Sequence, residues 1–249
     1  MRTSKLFIIA KKDIVDTFRN KLLYFYIAIF FIFGFVYFNS FSDSITGLLE
    51  QNLVPEELRL GIQLDMDSLF VIIPLTLAML TCAIFSGYFI TVEKTKRSME
   101  SLLATPISIK HVWLGKSLAV ALPSMAFALM ISFLVLIGIN VAKVNQVAGC
   151  YIFPTALPLV TGLVIVPLLV FLIILIVSFI QLTTANPMTG RLAFMGIFMM
   201  TFLSTTLFDF GTSKDFTRIY LIAAVLLASS IRFTERFLTE ERVVLSSKG

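Results

Sequence analysis

Apolar residues dominate six stretches of this chain, about 22–38, 69–91, 112–139, 157–182, 192–208 and 219–231, with polar segments between them. A helix that crosses a bilayer takes about 20 such residues, so each stretch predicts a membrane span. The last is short and relies on tilt or local thinning of the bilayer. The third is interrupted near its start by Gly115, Lys116 and Pro123. Residues 144–190 carry no charge, a length too great for one span. Pro154 and Pro158 predict that 144–156 form a short interfacial piece ahead of the fourth span.

Two segments have a one-sided pattern instead. Within residues 1–21, Phe7, Ala10, Ile14 and Phe18 recur at helical spacing, with Lys12, Asp16 and Asn20 opposite. That predicts an amphipathic helix lying in the membrane interface. A signal peptide fits less well, because the polar stretch is long and no small-residue cleavage site follows the first apolar run. Between spans two and three, Met99, Leu102 and Leu103 fall at i, i+3 and i+4, while Lys94, Lys96, Arg97 and Glu100 occupy the rest of the helix. Thr105-Pro106 ends that helix, because a residue before proline is pushed out of the helical region. Ser108 is placed to cap the next one. The chain thus leaves the membrane, lays down a short amphipathic helix, turns and re-enters. Such a helix suits lipid headgroups or a groove on a partner.

Composition sharpens the class. The chain has 249 residues, 58% of them hydrophobic and 14% charged, and soluble proteins carry about a quarter charged residues. The six spans and their short loops account for the whole length as a single transmembrane domain over 1–249. The net charge of +5 suits anionic lipid or a protein partner. Nucleic acid is excluded as a partner, because no basic stripe carries interleaved aromatics. Counting Lys and Arg at each boundary places the N-terminal helix, the 92–116 stretch, the turn at Arg191 and the C-terminal tail on the cytoplasmic side. The 39–68 loop carries Asp43, Glu50, Glu56, Glu57, Asp65 and Asp67 against Arg59 alone, and falls outside.

Candidate chemistry is sparse. Gly115-Lys116-Ser117 looks like the end of a phosphate-binding loop, but Lys110 stands where that loop needs its first glycine and no strand precedes it. The plainer reading is that Lys116 snorkels from a span end. His111 is the only histidine, which removes an HExxH zinc site and leaves a partly wet residue at a helix start. Cys82 and Cys150 form no disulfide framework and no metal spacing. No Asp or Glu lies mid-span, where ion-coupled carriers and intramembrane aspartyl proteases place theirs. Ser86, Gly87, Ser124, Ser132, Gly162, Ser178, Gly196 and Ser204 read as helix-packing positions. No catalytic, metal or cofactor site emerges, and no pattern selects a substrate.

The segment after span two resembles the signature of ABC-2 type permeases, the membrane subunits of one class of ATP-binding-cassette exporters. Their segment reads roughly E-x-x-x-G-T-x-E-x-L-L-A-T-P-x-S, with G-K a few residues on. Glu93, Glu100, Leu102, Leu103, Ala104, Thr105, Pro106, Ser108, Gly115 and Lys116 match it, and Arg97-Ser98 replaces the glycine-threonine pair. The interfacial helix, the six spans and the turn at Ala185-Asn186-Pro187 fit the same layout. The resemblance implies that 93–104 is a coupling helix docking on a separate cytosolic ATPase. Glu93, Lys94, Arg97, Met99, Glu100, Leu102, Leu103, Thr105 and Pro106 would make the contact. It further implies that ATP is bound by that partner and not by this chain. A second permease copy would complete the pathway, in the plasma membrane, with both termini cytoplasmic and transport outward. Two other classes compete: a membrane scaffold or biogenesis subunit that only recruits a partner, and an ATP-independent channel.

Overall fold

The computed structural model describes residues 12–15, 22–50, 55–95, 108–184, 186, 192, 195–197, 199 and 213–237, and among them the regular structure is helical throughout. The long elements are α1 (Leu22–Glu50), α2 (Pro55–Thr95), α3 (Ile109–Ala148), α4 (Ala156–Thr183) and α5 (Ser213–Phe237). Among the described residues three stretches are long and apolar enough to cross a membrane: Pro55–Cys82, Ile109–Ala148 and Ala156–Thr183. The chain is a multi-pass helical membrane protein. Most of the apolar run expected as a fifth span, 192–208, lies outside the described residues.

The helices outrun the apolar stretches that predict them. α1 continues past Phe38 through the acidic residues to Glu50, and α2 begins at Pro55, well before Leu69. The 39–68 segment is therefore mostly helix, not loop, with only residues 51–54 between the two elements left outside the description. Hydropathy marks where a helix meets lipid, but backbone hydrogen bonding continues into water wherever no breaker intervenes. Pro74 in α2 and Pro123 in α3 are carried inside their helices.

α2 is the central element. From Leu69 to Cys82 nearly every side chain is buried, and a helix buried all round lies in the interior of its bundle. α3 and α4 pack against it, α1 lies across α2 and α3, and α5 packs chiefly on α4. One α5 face, with Tyr220, Ala224 and Leu227, meets the core, while Ile222, Val225 and Leu226 point outward. α1 likewise exposes Phe31, Ile32, Phe35 and Val36. These outward apolar faces are what a bilayer covers.

Close helix approach is decided at Gly162. A methyl group there would sit 2.6 Å from the Phe70 carbonyl oxygen, so only glycine lets α4 lie against the α2 backbone. The approach falls in a π-helical turn, Thr161–Ile165, and a second such turn, Asn140–Val144, interrupts α3. α3 stops at Gly149, whose φ of 65° is left-handed.

Side chains tie down the connection between α3 and α4. Asn140 donates to the Leu136 carbonyl at 3.1 Å, and its own oxygen accepts the Ile152 N–H at 2.9 Å. Asp67 of α2 accepts both the Thr155 N–H, at 2.7 Å, and the Thr155 hydroxyl, at 2.8 Å. Gln63 donates to the Phe153 carbonyl at 2.7 Å. The 149–155 segment is thus clamped onto α2, where a short interfacial piece was expected.

Candidate functional site

The segment singled out by its pattern joins α2 to α3, and the structure describes its two edges. Glu93 and Lys94 belong to the last helical turn of α2. Arg97, Met99, Glu100, Leu102, Leu103, Thr105 and Pro106 lie outside the described residues. At the far edge Ser108 has the extended backbone of an N-cap, with φ of −67° and ψ of 143°. Its carbonyl accepts the His111 N–H at 2.9 Å and the Val112 N–H at 3.3 Å. Its hydroxyl bonds the His111 Nδ1, so the single histidine is a half-exposed partner of the cap.

Immediately inside, the first turns of α3 are anchored by polar contacts. The Trp113 indole N–H donates to the Leu175 carbonyl at 2.9 Å and reaches the Ser178 hydroxyl at 3.0 Å. Ser117 and Ser178 hydroxyls meet at 2.6 Å, and Ser117 also donates to the Trp113 carbonyl. In a low-dielectric interior these bonds hold the start of α3 against the end of α4. Of the small polar residues expected to pack helices, Ser178 does so between elements. Ser124 bonds back to Val120 of its own helix and also meets the Cys82 thiol of α2, while Ser132 bonds back to Ala128.

Lys116 corrects an expectation. It does not snorkel outward: its residue is 1% exposed, and its Nζ lies 3.5 Å from Asp13 Oδ2, itself buried. Gly115-Lys116-Ser117 sits within a continuous helix, and the lysine serves as an internal counter-charge. Asp13 belongs to a helical stretch, residues 12–15, inside the segment expected as an interfacial helix. The 12–15 stretch is therefore pinned to α3 about two turns beyond its cap.

These contacts fix the far edge of the 96–107 segment: the start of α3 is tied to α4 through Trp113, Ser117 and Ser178, and to the 12–15 stretch through Lys116. A profile of the family described as "ABC-2 family transporter protein" matches residues 7–235. The chain belongs to the ABC-2 transporter family. Comparison with curated proteins and with solved structures produced no match. The family match spans every described helix of this ABC-2 chain except the last two residues of α5, and it includes both Asp13 and Lys116.

Three contacts of this ABC-2 chain were not anticipated from its sequence, and for one of them a signal was there. Asp13 and Lys116 are 103 positions apart, and neither pattern names the other. Asp67 read as one of six outer carboxylates, yet it is 3% exposed and clamps Thr155. Trp113, the only tryptophan, was a residue that could have been flagged, since a buried indole N–H needs an acceptor.

Proposed function

We propose that this chain is the permease subunit of an ATP-binding-cassette transporter, working in export. In this reading 1–249 form one transmembrane domain of six spans in the plasma membrane, with both termini cytoplasmic. Two permease chains line the pathway, and two separate cytosolic ATPase subunits bind and hydrolyse ATP. Residues 93–106 carry the contact. Met99, Leu102 and Leu103 enter a groove on the ATPase, Glu93, Lys94, Arg97 and Glu100 form its rim, and Thr105-Pro106 turn the chain back toward α3. ATP-driven closure of the ATPases moves this segment as a rigid body and rocks the helices between inward- and outward-facing states.

The observation that carries the reading is the family match over 7–235, joined to the L-L-A-T-P-x-S signature on the α2–α3 connection. Its mechanical side is supported by the two helices the connection joins: α2, whose described part is the most enclosed of the three apolar helices, and α3, which is tied to α4 through Trp113 and Ser178.

The test is the double substitution Leu102→Asp and Leu103→Asp. Placing an unpaired charge in a desolvated contact costs several kcal/mol in principle. Neither residue lies in a span, so the variant should reach the membrane at the normal level while losing its co-purifying ATPase and its transport. Reversal of Lys94 alone should do much less, since a rim charge is worth about 0–1 kcal/mol. ATPase retained by the double variant at matched expression would remove the segment from the coupling role.

A further inference from the structure

A cleft of about 240 Å³ opens between α1 and α2 where the apolar runs end. Its α1 wall carries Tyr37, Phe41 and Ser44, and its α2 wall Asp65, Leu69 and Ile73. The two walls change character in step. Tyr37, Leu69 and Ile73 belong to the apolar stretches, while Ser44 and Asp65 belong to the acidic segment that follows one and precedes the other. From Tyr37 to Ser44 the wall rises seven residues, about 10 Å. One end of the cleft is therefore greasy and the other carries a carboxylate.

Asp65 is the only charged group among the described residues lining it. The Ser44 hydroxyl donates to its Oδ2 at 2.6 Å, which holds the carboxylate across the cleft from α1. Among the described residues no donor is recorded on Oδ1. Phe41, nearly one helical turn before Ser44, lines the cleft between its two ends, and aromatic faces attract cations. The surrounding 39–68 segment holds six carboxylates against one arginine, so its field draws cations in and repels anions.

We propose that this cleft is a binding site for an amphiphile with a single positive charge, an ammonium or phosphonium group on an apolar body. The cation sits at Asp65 Oδ1, and the apolar body lies along Tyr37, Phe41, Leu69 and Ile73. A neutral amphiphile gains nothing there over the bilayer, and an anion is repelled. The site goes beyond the permease reading and does not depend on it, because binding needs neither ATP nor a partner.

The experiment uses the full chain alone in phosphatidylcholine nanodiscs, with radiolabelled tetraphenylphosphonium as the probe and empty nanodiscs as the background. Saturable binding is expected. Tetraphenylborate, of the same shape and opposite charge, should bind protein-bearing and empty discs alike. Asp65→Asn should weaken phosphonium binding at least tenfold. Glu57→Gln, which removes a carboxylate of the same acidic segment from outside the cleft, should leave it unchanged. Ser40→Phe narrows the cleft with its carboxylate intact and should also abolish binding, which keeps the test decisive if Asp65→Asn misfolds. Non-saturable binding, equal affinity in Asp65→Asn or in Ser40→Phe, or an equal loss in Glu57→Gln would overturn the site. A failed Leu102/Leu103 pull-down would leave it untouched.

Discussion

Lys116 and Asp13 meet at 3.5 Å with side chains 1% and 6% exposed. Taking both charges out of water is expensive, so such a pair contributes little net stability, yet removing one partner takes away part of what offsets the other's desolvation. Lys116→Met should therefore lower stability, by at most about 3–5 kcal/mol. Adding Asp13→Asn to that variant should recover part of the loss, because that buried charge is gone. Thermal unfolding of the two variants in one detergent measures the coupling, and equal melting of the single and the double would dismiss the pair as an anchor. The charge on Lys116 stood out in the sequence as a break in an apolar run. Its partner did not, since nothing local relates positions 103 apart.

Among the elements, α2 and α4 show how a single atom sets a helix crossing. The Gly162 position faces the Phe70 carbonyl, and a backbone oxygen cannot rotate away as a side chain does. Gly162→Ala should push the helices apart and cost about 1–3 kcal/mol, the usual range for overpacking. Gly47→Ala is the matched control, because a methyl there meets nothing within 4 Å. It should be neutral or mildly stabilising, as helical Gly→Ala changes are. A fall in unfolding temperature confined to Gly162→Ala checks the packing, and equal behaviour of both would refute it. Gly162 was recognisable in the sequence as a packing residue. That it faces Phe70, in a π-helical turn, required the assembled helices.

At the scale of the whole molecule the proposed orientation in the membrane is argued from charge. On that proposal the Lys and Arg excess puts the 93–111 segment on the cytoplasmic side and the acidic segment outside. In a Cys150→Ser background, Ser42→Cys should react with a membrane-impermeant maleimide added to intact cells. Ser98→Cys should react only after the membrane is opened. Labelling of Ser98→Cys from outside, with Ser42→Cys as the positive control, would invert the topology. The proposed coupling role depends on this arrangement, because residues 93–106 must share a compartment with the ATPase.

Helicity and membrane residence were determined by the sequence itself. Apolar runs of span length leave the backbone no hydrogen-bond partners but its own, and that constraint acts locally. The start of α3 is local for the same reason: Ser108 takes the N-cap position its place before the helix predicts, with its hydroxyl on His111 Nδ1 rather than on a backbone N–H. The order of the helices in the bundle was decided only by tertiary structure. α4 is more apolar than α2, yet α2 is the more buried, because lipid tails are as apolar as leucine and hydrophobicity alone does not select the interior. Small residues at close approaches and polar side chains that find distant partners make that selection. Gly162 against Phe70, Asp67 on Thr155, Trp113 on Leu175 and Asp13 on Lys116 each join positions far apart in the chain, and only the packed fold brings them together.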